Sequence, residues 1–174
     1  MKPAVRHGLI GAILLIALVA VAGAVTWHFG LYNVAADDPH WTVTRNFLAS
    51  TMDNSVAARD GDIAVPPLKD EKMIAQGAAH YDEMCTGCHL APGMDENELR
   101  AGLNPKPPSF AKRRRAGNPK EQFWIIKHGI KMTAMPAWGA SHSDAEIWDI
   151  VAFFQTMPNM TPQAYKSLVQ SGRQ

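Results

Sequence analysis

Met84-Cys85-Thr86-Gly87-Cys88-His89-Leu90 holds the only two cysteines of the chain and sets a histidine directly after the second. Spaced as Cys-x-x-Cys-His, the stretch reads as a covalent haem attachment site. Two thiols one helical turn apart can add to the two vinyl groups of one haem, and a histidine that follows at once can swing under the iron. In that reading Cys85 and Cys88 form thioethers and His89 supplies an imidazole nitrogen to iron. The motif is short, so the rest of the chain has to provide a second iron ligand and a compartment in which haem is attached.

The compartment is written at the N-terminus. Met1 to His7 is basic, Gly8 to Val25 is an uncharged run of apolar and small residues, and Thr26 to Tyr32 extends it. A membrane-crossing helix needs about 20 such residues, and Trp27, Phe29 and Tyr32 fall where an interfacial aromatic belt sits. With Lys2 and Arg6 before the run and no basic residue just after it, the positive-inside rule keeps residues 1–7 in the cytoplasm. Residues 8–32 are then expected as a single anchor in a bacterial inner membrane, with everything beyond them in the periplasm, where bacteria attach haem. Ala22-Gly23-Ala24 offers the competing reading of a cleaved secretory signal. The apolar length beyond Ala24 and the aromatic flank favour the anchor, and both routes export the domain. A length of 174 residues allows one ordinary domain with additions, and a formal charge of +1 lacks the strongly basic face of a nucleic-acid binder.

Residues 33–69 read as a connector. Asp38 is placed to cap a helix with Pro39 at its first position. That helix is expected to reach about Asp53, with Trp41, Phe47, Leu48 and Met52 packed on the globular domain or lying at the lipid surface. Ile63 to Leu68, with Pro66-Pro67 inside it, is expected to be extended. From Asp70 an apolar pattern at Met73, Ile74, Gly77, Ala78, Tyr81 and Met84 predicts a helix running into the haem motif. Asn104-Pro105-Lys106-Pro107-Pro108 is a rigid loop, and Asn118-Pro119 with Glu121 opens a short helix toward Gly129. Ser143 with Glu146 forms a capping box ahead of the heavily apolar stretch Ile147 to Met157, which Pro158 stops. No strand pair is convincing. The fold class expected is all-α, with a haem domain over residues 70–160 and a C-terminal tail over 161–174.

The second iron ligand is sought between the last two of these helices, where Gly129 to Gly139 carries Met132 and Met135. A thioether prefers reduced iron and raises its potential, which suits reversible electron transfer. Met135 is favoured over Met132 because Pro136 stiffens the backbone beside it and Gly139 shortly ends the loop. Met52, Met73, Met94, Met157 and Met160 are left to packing.

Taken in order, the helix from Asp70, Cys85-Thr86-Gly87-Cys88-His89, the proline-rich loop, the short aromatic helix, Met135-Pro136-Ala137-Trp138 and the helix bearing Phe153 and Phe154 resemble a class I bacterial cytochrome c of the membrane-anchored, single-haem kind. The resemblance covers about Asp70 to Met157. It implies an all-α fold around one haem c, with His89 and Met135 as axial ligands to iron. It also implies contact between the first and last helices of the domain, with Gly77 and Phe153 at the crossing. A carbonyl of Pro107-Pro108 is expected to hold the other nitrogen of His89, with Trp138 near a propionate. The function that follows is single-electron transfer in a respiratory chain between a donor and an acceptor protein, with no small-molecule substrate.

Three other readings compete. A zinc site would combine Cys85 and Cys88 with two of His89, His128 and His142, and exported thiols argue against it. A haem enzyme or gas sensor would need an open sixth position and a polar distal group, for which His80, His128 and His142 are the available side chains. The same carrier fixed as a subunit of a dehydrogenase or oxidase fits the sequence as well as a free relay does. Lys112-Arg113-Arg114-Arg115, with Lys106 and Lys120 nearby, is either a docking patch for an acidic redox partner or a solvated loop, and the two weigh equally.

Overall fold

Helix α3 (Glu71–Met84) begins where the sequence predicts, because the Asp70 carboxylate accepts the Met73 amide at 2.9 Å and so satisfies one of the donors a helix start leaves unpaired. These positions come from a computed structural model that describes residues 2–174, so Met1 of the basic leader lies outside the described residues. The remaining helices are α1 (Pro3–His28), α2 (Thr42–Ala57), α4 (Thr86–His89), α5 (Glu98–Ala101), α6 (Pro119–His128), α7 (Asp144–Thr156) and α8 (Pro162–Gly172). Short 3-10 turns occupy Phe110–Lys112 and Trp138–Ala140. Among the described residues there is no strand, so the fold is all-α. The chain divides into two units, one ending at Asp38 and one running from Pro39 to Gln174.

The first unit is dominated by α1, whose 26 residues are solvent-exposed along their length with a mean hydropathy of 2.7 over the most apolar window. At 1.5 Å per residue it is about 39 Å long, more than the ~30 Å of a bilayer's hydrocarbon core. It starts earlier than the expected anchor, at Pro3, and ends at His28, so Phe29 to Tyr32 lie beyond the helix. Asp38 does not cap a helix at Pro39. Its carboxylate accepts from the Asn33 side chain at 2.9 Å within a turn closed by Ala35, and α2 starts only at Thr42 with no side-chain cap.

In the second unit α2 runs on to Ala57, past the expected end at Asp53. Its C-terminal end is tied down: Val56 and Asp60 are buried, Lys120 Nζ donates to the Gly61 carbonyl at 2.6 Å, and α2 packs on α6. The starts of α6 and α7 are locally encoded as expected. Asn118 accepts from the Lys120 amide with Pro119 at the first position, and Ser143 and Glu146 cap one another reciprocally. Gly129, at φ 65°, ends α6 in the left-handed region that glycine enters without strain.

The core forms where α3 meets α7. Tyr81, Ile147, Ile150, Val151 and Phe153 are sealed from solvent, and each large apolar side chain so buried contributes about 1.5–3 kcal/mol. The closest approach is at Gly77, where a Cβ would fall on the Asp149 carbonyl. Phe153, the other position expected at the crossing, lies one turn further along α7 and packs on Tyr81 of α3, ring centroids 5.4 Å apart. The expected tail at 161–174 is also corrected, since most of it is helix α8, capped by Thr161 and laid against α3. Gly172 there meets the Ala75 carbonyl, Tyr165 donates to Asp82 at 2.6 Å and Arg173 pairs with the same carboxylate at 2.8 Å. Helix α3 is therefore covered by both α7 and α8, and its C-terminal end delivers the Cys85–His89 turn.

Candidate haem site

Cys85 is both the last cap of α3 and the start of α4, so the motif inherits its direction from the buried helix before it. The turn is closed by the His89 amide on the Cys85 carbonyl at 2.8 Å and by Thr86 Oγ1 on the Asp82 carbonyl at 2.9 Å. Leu90 leaves it at φ 61°, and the buried Tyr81 hydroxyl donates to the Leu90 carbonyl at 2.6 Å. Burial pushes the Tyr81 hydroxyl well above its usual value, with a smaller contribution from Cys85, so it stays a donor. Tyr81 thus fixes the exit of the haem motif from inside the core, a role its place in the apolar pattern alone does not reveal.

Cys85 is buried and Cys88 half-buried, and both are free thiols. Burial, with Cys88 adding to it, pushes the Cys85 thiol up to about 12. Nδ1 of His89 lies 2.9 Å from the Pro108 carbonyl. A carbonyl only accepts, so Nδ1 carries the proton and Nε2 keeps its lone pair. Burial lowers the His89 pKa, and the charges of Arg100 and Arg113 act in the same direction against the opposing effect of the Pro108 bond, which keeps the ring neutral. Phe110 stacks on the His89 ring with centroids 4.6 Å apart at 26° and touches Phe154 at 4.8 Å. The Arg113 guanidinium lies over the same Phe110 ring at 4.8 Å.

The two methionines of the 129–139 loop have different surroundings. Met132 is 84 % exposed at φ 59°. Met135 is half-buried and packed against the core, its amide bonded to Thr133 Oγ1 at 3.1 Å and its carbonyl to the Ile130 amide at 3.2 Å. Trp138 is likewise packed on the core, with its ring edge-on to His142 at 5.3 Å. His142 and His80 stand at 6.2 Å from one another, and His128 packs beside Trp124 at 4.9 Å. Among the described residues no group of three or more His, Cys, Asp or Glu side chains converges on a metal position, so neither His128 nor His142 completes the zinc set with Cys85 and Cys88.

Sequence reading overlooks the segment 96–101. Asn97 caps α5 and donates to the Gly87 carbonyl at 2.9 Å, inside the haem motif. Arg100, buried, is bound by Glu96 and donates to the Pro107 carbonyl at 2.8 Å. The signal available was Asn97 followed by Glu98, a helix-start pattern. Nothing local marks Phe110 as the partner of His89.

The residues present fit a covalently held haem: two thiols on one turn, a neutral imidazole with its inner nitrogen anchored and its outer nitrogen unused, and an aromatic wall of Phe110, Phe154 and Tyr81. Searches of curated proteins and of solved structures find no match. Residues 72–154 match the family model described as Cytochrome C oxidase, cbb3-type, subunit III, a span that begins with α3 and ends within α7. The helical segment built around Cys85–His89 is a class I c-type cytochrome domain, and its cofactor is a covalently bound haem c with its iron.

Proposed function

We propose that the protein is a membrane-anchored electron carrier, with Cys85 and Cys88 as the thioether attachments and His89 and Met135 as the axial ligands of the haem iron. When bound, the haem supplies one-electron exchange between ferric and ferrous iron. The chain's own part is to orient the His89 ring through Pro108 and Phe110, to bring a soft thioether from the 129–139 loop, and to keep water out with the α3–α7 core. Helix α1 holds the domain at the bacterial inner membrane, N-terminus in the cytoplasm and haem domain in the periplasm, where it passes electrons within a respiratory chain. The observation that carries this reading is the bond from His89 Nδ1 to the Pro108 carbonyl, the outer support a metal-bound histidine needs. The packed Met135 and exposed Met132 support the choice between the two thioethers.

Haem-bearing protein tests the ligand set. The ferric form should have the methionine-to-iron charge-transfer band, Met135→Ala should abolish it and lower the potential, and Met132→Ala should leave both unchanged. Rapid carbon monoxide binding by the native ferrous form would instead mean an open sixth position. The description of the matched family favours a second reading, in which the carrier is fixed as a cytochrome subunit within an oxidase. Purification from native membranes in mild detergent separates the two: a free relay elutes alone, a fixed subunit with its complex.

A further inference from the structure

Helix α2 changes character along its length. Val43 is 81 % and Phe47 67 % exposed, whereas Val56, near the end tied to α6, is buried. Val43 and Phe47 are four residues apart and so share one face of the helix. Isolated apolar side chains on a surface need no explanation, but these two continue a series. Phe29, Leu31 and Val34, between the end of α1 and the start of α2, are 68 %, 65 % and 89 % exposed. Of the two places the sequence allows for Phe47, the globular domain and a lipid surface, the fold does not use the first.

Chain length, area and charge indicate what covers this face. Residues 29–41 join α1 to α2, and fully extended they span at most about 45 Å. The turn in which Asp38 accepts from Asn33 shortens that reach, so the start of α2 is held close to the surface from which α1 emerges. A protein partner is a poor occupant. A stable interface buries about 800 Å² on each side, and even a large aromatic side chain supplies only about 150–250 Å². A bilayer makes no such demand, because α1 has already brought the chain to it and the second contact is intramolecular. The charged side chains of residues 29–50 are Asp37, Asp38 and Arg45, so the attraction is apolar and not to anionic headgroups.

We propose that the Val43–Phe47 face of α2 seats at the headgroup–acyl boundary of the phospholipid bilayer that α1 crosses. The proposal rests on the reading of α1 as a membrane anchor. The other end of α2 is held to the haem domain, where Lys120 Nζ donates to the Gly61 carbonyl at 2.6 Å. A lipid contact at one end and a protein contact at the other limit how far the haem domain turns over the membrane.

The test uses full-length, haem-bearing protein in nanodiscs of phosphatidylcholine. Haem attachment consumes the thiols of Cys85 and Cys88, so a cysteine introduced elsewhere is free to take a polarity-sensitive fluorophore. Ser50→Cys carries the label on the Val43–Phe47 face, three residues beyond Phe47. Ala49→Cys carries it about 200° round the helix from Phe47, and both native residues are exposed. The label of Ser50→Cys should emit at shorter wavelength, be quenched by nitroxide-bearing lipid chains, and be several-fold less quenched by aqueous iodide than that of Ala49→Cys. Raising the salt should not change this. Adding Val43→Ser and Phe47→Ser should return the first label to the water-exposed behaviour of the second. Equal iodide quenching of the two labels overturns the proposal, as does a Ser50→Cys label still shielded after both further replacements. Shielding in native membranes but not in lipid alone overturns it in favour of a protein partner. Protein that does not enter nanodiscs at all would instead overturn the anchor reading, a failure seen in incorporation before any label is read.

Discussion

The rings of Phe110 and His89 stack 4.6 Å apart at 26°, across 21 residues of chain and the whole proline-rich loop. With Pro108 holding Nδ1, the imidazole is fixed both in its plane and against rotation. Phe110 also touches Phe154 of α7, so the orientation of His89 is referred to the buried core and not only to its own turn.

Phe110→Leu should therefore keep haem attachment while loosening the ring. Aromatic pairing is worth about 0.5–1.5 kcal/mol beyond burial, and a loss of roughly that size should accompany altered g-values in the electron paramagnetic resonance spectrum of the ferric protein. Native g-values in the variant would mean that Pro108 alone orients His89.

Lys112, Arg113, Arg114 and Arg115 are exposed and make no ion pair with another described residue. Replacing Arg113, Arg114 and Arg115 by alanine should slow oxidation of the ferrous protein by an anionic reagent such as ferricyanide by on the order of tenfold at low salt. The difference should shrink at physiological ionic strength, where the screening length is about 8 Å. Equal stopped-flow rates for native and variant protein at low salt would exclude electron exchange near this loop.

Gly77→Ala tests the α3–α7 crossing. The added methyl would meet backbone, the Asp149 carbonyl, and backbone does not rotate out of the way. Overpacking of this kind costs about 1–3 kcal/mol, measurable as a lower urea midpoint. Gly87→Ala, whose Cβ would find only the Leu99 side chain at ordinary contact distance, is the control and should cost less.

Asp149 lies half-buried on α7, and burial raises its pKa above the ordinary carboxylate range, helped by Glu146 and Asp70 and opposed by His80 and Lys72. The folded protein thus holds this proton to a higher pH than the unfolded chain does. Stability is lost as pH rises from the ordinary carboxylate range through the raised folded value, and the full cost is present at neutral pH. Asp149→Asn should stabilise the protein at neutral pH by about a few tenths of a kcal/mol, small because water screens the site, seen as a slightly higher unfolding temperature, with no gain in acid below the carboxylate range. A gain that persists unchanged in acid would point to packing instead of charge.

What could be read from the residues alone follows a distance rule. The caps of α3, α6 and α7 each involve groups two or three positions apart, and all three stand where Asp70, Asn118 and Ser143 put them. The haem motif is equally local, five residues whose spacing carries its chemistry, and the Pro108 carbonyl on His89 was within reach of the family resemblance. Asp38 marks where even local reading fails, because two local partners competed for one carboxylate and Asn33 won.

Beyond that range the outcome depends on which surfaces meet. Gly77 announced a close crossing, but only the packed helices decided that the Asp149 backbone is what it admits. Helix α8 looked like a tail because its polar sequence buries little more than Tyr165 and Val169, and its place depends on Asp82, 83 residues before Tyr165. The sequence by itself determined the all-α class and the starts of α3, α6 and α7, since hydrogen bonds within a turn need no partner from elsewhere. Tertiary structure decided that Phe110 covers His89 and that Met135 packs while Met132 faces water. Those depend on burial, which exists only once distant segments have closed over one another.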